Sequence, residues 1–140
     1  ITNHADAQRG LESIYRCLAP HGTFLLEIDT IDSLTEPIEG WRYGSHKRLD
    51  GSQILLSALT SYDPVTQLYR SQCRYKSVVD SITIEVEDED FRQYLYRFDE
   101  METHLKNAGF TVIEKYQDFK KTKSTNQKAP QLIYECTKTV

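Results

Sequence analysis

Cysteine is scarce in this chain of 140 residues, and its three copies, Cys17, Cys73 and Cys136, lie far apart. They form neither a CxxC pair nor a zinc spacing, which excludes a disulfide framework and a zinc module and points to reduced thiols in a cytoplasm. Glycine is sparse too: the six glycines stand singly, and no GxG occurs. A glycine-rich loop of the kind that cradles nucleotide phosphates is therefore missing. Positive charge is not in excess, since the formal net charge is −4. No overall basic field recruits nucleic acid or an anionic membrane. No stretch approaches the roughly 20 apolar residues that cross a bilayer. The opening ITNHADAQRG holds no apolar signal core.

What is present suits one soluble globular domain, or a piece of one, with enough apolar residues for a core. The chain begins on Ile1 rather than methionine, in mid-flow toward a helix, and a fragment is the expectation. In ADAQRGLESIYRCLAP, Leu11, Ile14, Tyr15 and Leu18 recur at helical spacing, Asp6 is the expected cap, and Pro20 marks the stop. TFLLEID (23–29) then reads as a strand covered on both faces, as in a parallel sheet. Helix, Pro-x-Gly and buried strand together make the second half of a βαβ unit.

Beyond the polar connection 31–40 the pattern changes to an antiparallel meander. WRYGSHKRL and SQILLSALTSY flank Asp50-Gly51, a pair suited to a type I′ turn. QLYRSQCRYKSVV and SITIEVEDEDFRQYLYR flank a second tight turn at Asp80-Ser81. A two-residue loop there sets Arg74 opposite Glu87 and Lys76 opposite Glu85, which turns the acidic tract EVEDED into part of a charge ladder. Next, Asp99 with Glu102 reads as a capping box; Met101, Leu105 and Ala108 form an apolar stripe, and Gly109 supplies a left-handed stop. FTVIEKYQDF and QLIYECTKTV are two closing strands, antiparallel to each other, around the solvated basic loop KKTKSTNQKAP. There are no internal repeats.

LAPHGTFLLEID, followed at a distance by FDEMETHLKNAGFTVIEKYQDF, resembles the C-terminal half of class I S-adenosylmethionine-dependent methyltransferases. In that family an L-x-P-x-G, here Leu18, Pro20 and Gly22, leads into the fifth strand, and a late helix ends in AGF, here Ala108, Gly109 and Phe110. The meander looks like the substrate-covering sheet of small-molecule and amino-sugar N-methyltransferases, through Trp41, Arg48-x-Asp50-Gly51 and the Tyr/Arg-rich strands. The resemblance implies S-adenosylmethionine as cofactor of a full-length parent and a small-molecule substrate, methylated at an amine, with an oxygen or carbon acceptor as the alternatives. The family's cofactor loop has no counterpart here, so no cofactor-binding residue is assigned and the isolated chain is expected to be inactive.

In open α/β sheets ligands sit beyond the carboxyl ends of the strands, where Glu27, Asp29 and Asp32 fall. Glu27 or Asp29 would orient a cationic amine; the alternative is that they terminate a strand in solvent. His4 lies beside the same crevice as a candidate base, against a reading as a solvated, cap-adjacent histidine. His21, His46 and His104 lack partners at ligand spacing, and no metal site is assigned. Trp41, Tyr43 and Arg48 are the candidate substrate-binding residues; the alternatives are sheet packing and the charge ladder. Nine tyrosines suit RNA stacking, but the acidic balance argues against it.

The resulting fold class is α/β, or α+β as a fragment: the C-terminal part of a Rossmann-like methyltransferase sheet with an antiparallel insertion. Residues 1–30 hold a helix and strand five, 31–97 the meander, and 98–140 the terminal helix and hairpin. The rivals are a non-enzymatic β-rich binding or dimerisation module and a β-barrel ligand carrier. A strand that lacks its partners invites pairing with a second copy, so a homo-oligomer is expected.

Overall fold

A computed structural model describes residues 2–35, 38–124 and 128–139. Its elements in chain order are α1 (His4–Cys17), β1 (Thr23–Asp29), a 3-10 turn (Ile31–Ser33), β2 (Gly40–Lys47), β3 (Gln53–Asp63), β4 (Leu68–Val79), β5 (Ile82–Tyr94), α2 (Glu100–Asn107), β6 (Thr111–Tyr116) and β7 (Gln131–Thr137). They form two units: Ile1–Thr35 with Tyr94–Val140, and Glu36–Gln93.

The first unit holds both helices and an antiparallel sheet ordered β1-β7-β6. The central strand β7 carries the core, with Leu132, Tyr134 and Cys136 fully buried. The α2 stripe completes it as expected, with Met101, Leu105 and Ala108 buried; of the stripe expected on α1 only Leu11 is buried, joined by Ala7, while Ile14 is exposed. Phe110 follows, edge-on to Tyr15 and stacked near Phe24. The α2 stop is a Schellman turn, with Gly109 at φ +100 and Phe110 N–H donating to the Leu105 carbonyl at 3.0 Å. Glycine is required here twice over, because a Cβ at Gly109 would also lie 3.0 Å from the Tyr15 ring.

Three local expectations are corrected. The α1 cap is Asn3, whose side chain accepts the Asp6 N–H at 2.8 Å, while Asp6 sits in the first turn and accepts from the Asn3 amide at 2.7 Å. A carboxylate in that turn also favours the helix dipole. At α2 the Asp99 side chain makes no cap bond; it accepts from Lys115 at 3.0 Å, and Glu102 accepts from Lys106 at 2.8 Å. Ammonium donors outcompete neutral amides for a carboxylate; Glu100, the first residue of α2, accepts the N–H of Arg97 in the preceding turn at 2.9 Å. Finally, β1 is not covered on both faces: Ile28 is buried, but Leu25 is 60% exposed and Glu27 is exposed. Beyond β7, its other neighbour is a short parallel contact at its C-terminal end, where Tyr96 N–H donates to Asp29 and Ile31 N–H donates to Tyr96.

The second unit is a four-stranded meander, β2-β3-β4-β5. Asp80 and Ser81 both adopt positive φ, the signature of the type I′ turn expected between β4 and β5. Asp50-Gly51 does not form one. Residues 48–52 make a longer connection in which Gly51 is left-handed and the Asp50 carboxylate accepts from the Ser52 N–H at 2.9 Å and hydroxyl at 2.6 Å. That side chain–backbone turn competes with the tighter one. Among the described residues of this unit the only buried apolar side chain is Ala58; the others buried are Ser52, Thr60, Gln67, Ser71 and Ser77. No helix among the described residues is long and apolar enough to cross a membrane.

Candidate functional site

The first unit gathers chemistry at the C-terminal end of β1. Glu27 is exposed and its carboxylate accepts from Gln131 Nε2. Asp29 shares its face by strand alternation and gives its carbonyl to Tyr96. Asp32 is occupied structurally, accepting the Ala129 N–H at 3.0 Å. Tyr96 meets the Tyr94 ring edge-on at 4.8 Å.

Tyr94 leads to His4. Its hydroxyl lies 2.6 Å from His4 Nε2 and donates to Glu100 Oε1 at 2.8 Å. The other nitrogen of His4, Nδ1, lies 2.7 Å from His104 Nε2, and His104 Nδ1 lies 3.1 Å from Gln8 Oε1. Burial, and behind it the Glu100 carboxylate, pushes the Tyr94 phenol well above its ordinary range, so it keeps its proton. Burial and the neighbouring His4 lower His104, against an opposing pull from Glu100. Sequence reading placed His4 near the crevice but missed Tyr94, Glu100 and His104. The available signal was spacing: His4 with Gln8 and Glu100 with His104 are i,i+4 pairs, each on one face of its helix.

The candidate substrate-binding residues lie in the second unit and do not converge. Pairing of Trp41 with Leu59 and Tyr43 with Ser57 puts both aromatics on one face of the sheet. There they stack at 6.3 Å between centroids, 60% and 77% exposed. Trp41 walls a groove of about 470 Å³ with Ser57, Gln72, Arg74, Asp88 and Asp90. Arg48 instead lines a groove of about 180 Å³ with Ile54, Tyr75, Ser77, Glu85 and Glu87. Ile54 and Ser77 are register partners of each other, and Ile54 pairs with His46, on the face opposite Trp41.

The charge ladder exists, with different rungs. Arg74 donates two bonds at 2.7 Å to Asp88 rather than to Glu87, and Arg70 donates to both oxygens of Asp90 at 2.8 and 3.0 Å. Arg92 also reaches Asp90, at 2.7 Å. Glu85 and Glu87 line the Arg48 groove on the other face of the sheet, so strand alternation leaves Asp88 and Asp90 to the arginines, whose forked guanidinium bonds hold both below the usual carboxylate range.

No protein-family model matches the chain, and no curated protein matches it by sequence. Solved structures do. An S-adenosylmethionine-dependent methyltransferase from Clostridium acetobutylicum superposes with TM-score 0.78 at 13% identity, over 98% of this chain and 52% of its own. CalS10, an amino pentose methyltransferase from Micromonospora echinaspora with S-adenosylmethionine bound, gives 0.68 at 12% identity, over 99% of this chain and 52% of its own. The sugar N-methyltransferase KedS8 from Streptoalloteichus gives 0.63 at 11%, over 93% of this chain and 48% of its own. This is the fold of half a methyltransferase.

The chain spans about half the length of these methyltransferases, in keeping with their C-terminal portion. The family's glycine-rich cofactor loop has no counterpart among the six single glycines, and no described residue is assigned to the cofactor. Nor does any group of three His, Cys, Asp or Glu side chains among the described residues suit a metal.

Proposed function

We propose that the chain is the C-terminal, substrate-side part of an S-adenosylmethionine-dependent methyltransferase that acts on a small molecule at an amine. The observation that supports this most is the superposition of nearly the whole chain on half of several such enzymes, including an amino pentose and a sugar N-methyltransferase. In this reading the cofactor, held by the remainder of a longer cytoplasmic protein, supplies the methyl group. The residues of this chain position the acceptor. Glu27 and Asp29, at the end of β1, orient the cationic amine. On the second unit, taken by itself, Trp41 and Tyr43 present an aromatic face, and a cation above such a ring gains about 0.5–2 kcal/mol. Arg48, in its own groove on the opposite face of that sheet, offers a guanidinium to an acidic group. His4 takes the proton that the amine sheds. The open edge of β1 favours pairing of two copies, and a monomer by light scattering at micromolar concentration would remove that part of the reading.

The test starts with the reading frame that encodes this chain, and continues with calorimetric titration of its full product and of residues 1–140 with S-adenosylmethionine. Binding by the full product and none by the shorter chain supports the proposal. A full product that ignores the cofactor removes the enzyme reading and leaves a β-rich binding module.

A further inference from the structure

A proton inventory of the His4 cluster does not close with neutral histidines and an ionised Glu100. Four hydrogen bonds run in a row: Gln8 to His104, His104 to His4, His4 to Tyr94, and Tyr94 to Glu100. Both ends of the row are acceptors. Gln8 spends its amide nitrogen on Glu12 at 3.1 Å, which leaves Oε1 facing His104. Glu100 Oε2 accepts from the Arg97 N–H and Oε1 from Tyr94. Four bonds need four protons. Neutral His104, neutral His4 and Tyr94 bring one each.

We propose that His4 and His104 share one additional proton as a hydrogen-bonded imidazole–imidazolium pair, a proton-binding site that clasps the start of α1 to α2. The site lies wholly within the first unit, where the two helices are in contact. The charged and titratable groups around it are Glu12 on α1, Tyr94, Tyr96 and Arg97 on the segment before α2, and Glu100 on α2. Glu100 supplies the counter-charge, 3.4 Å from His4 Nε2. His104 is the half-buried member and resists charge, so the cation resides on the more exposed His4. The pair takes up its first proton readily and a second one reluctantly, as coupled sites do. In the singly protonated state both nitrogens of His4 donate. His4 then has no lone pair for a substrate proton and becomes a base only after the shared proton leaves. The proposal stands independently of the methyltransferase reading.

The deciding variant is Glu100→Gln. A glutamine there keeps its oxygen on the Arg97 N–H and turns its NH₂ to Tyr94, which frees the Tyr94 proton for His4. All four bonds are then made with neutral histidines. Imidazole NMR titration of the chain and of this variant reads the result, with His21 and His46 as internal references. In the unaltered chain the first uptake by the pair is expected about one pH unit above the references, a tenfold gain in proton affinity. Glu100→Gln is expected to erase that difference. A second readout is the urea midpoint, which should fall from pH 6.5 to 8 in the unaltered chain and lose that fall in the variant. The sign follows because the folded state binds the first proton more tightly and the second less: the contribution is greatest near the ordinary histidine value, is lost as pH rises through the first folded one, and is opposed by the lowered second one at more acid pH. If His4 and His104 titrate with the references, or identically with and without Glu100, the shared proton does not exist.

Discussion

The two units stabilise themselves in different ways. Around α2 and β7, Leu105, Leu132, Tyr134 and Cys136 are fully buried, and interior packing holds the first unit together. In the second unit, the described residues buried are one alanine, one glutamine and a few hydroxyl residues, while Trp41, Tyr43, Ile82, Ile84 and Val86 are exposed. That sheet depends on strand pairing, turns and guanidinium–carboxylate rungs. Exposed aromatics and apolar β-branched residues on a rigid sheet suit a surface that covers something else. The difference teaches which substitutions should matter for folding and which for binding.

The largest contrast is between two aliphatic truncations. Leu105→Ala leaves a cavity where the side chain is 0% exposed and should cost about 3–5 kcal/mol. Ile84→Ala, at a side chain 63% exposed, should stay within about 0.5 kcal/mol. Urea unfolding of both variants checks this; equal losses would mean that the meander is covered in solution. A second, smaller effect sits at Gly109. Alanine there must adopt φ +100 and meet the Tyr15 ring, at about 1–2 kcal/mol. Pairing it with Tyr15→Ala separates the two causes, because the backbone strain remains when the ring is gone.

Legibility cut across that divide. The α2 stripe, the Gly109 stop and the β6–β7 hairpin were readable because helical period and glycine chemistry are local. So was the Asp80-Ser81 turn. The errors arose where several acceptors competed for one donor or several donors for one acceptor. Asn3 and Asp6 were both good caps, and only geometry chose Asn3. Asp99 lost its cap role to Lys115, sixteen residues away and invisible to a local motif. Carboxylates fill four successive positions from Glu87 to Asp90, and a register one residue off places Glu87 rather than Asp88 on the Arg74 face. Among candidate site residues, His4 was found, but its partners come from 90 and 100 residues away. The separation of Trp41 and Tyr43 from Arg48 follows from strand parity, obscured by the longer Asp50-Gly51 connection.

That separation gives the third contrast, in binding rather than stability. If the proposed amine lies on the Trp41–Tyr43 face, Trp41→Ala in the full-length protein should weaken substrate binding about tenfold. Arg48→Ala, on the opposite face, should then leave the affinity for an amine without an acidic substituent unchanged. Calorimetry with such an amine, cofactor present, distinguishes the faces; the reverse order of effects would move the site to the Arg48 groove.

The smallest effect is expected from the ladder itself, and it carries a sign. Asp88 is held below the usual carboxylate range by Arg74, and Asp90 by Arg70 and then Arg92. Groups depressed in the folded state contribute above their unfolded value, about 3.9, and lose that contribution as pH falls through the folded one. Both carboxylates are solvent-exposed pairs, so salt should screen them. Acid unfolding followed from pH 5 downward should therefore show a shallow loss that 1 M salt flattens and that Arg74→Gln removes in part. The His4–His104 pair works in the opposite direction and in another window, losing its contribution as pH rises above the ordinary histidine range. The two slopes, on opposite sides of neutrality, should therefore be removed separately, the one by Glu100→Gln and the other in part by Arg74→Gln; a slope that survives its own variant would belong to other groups.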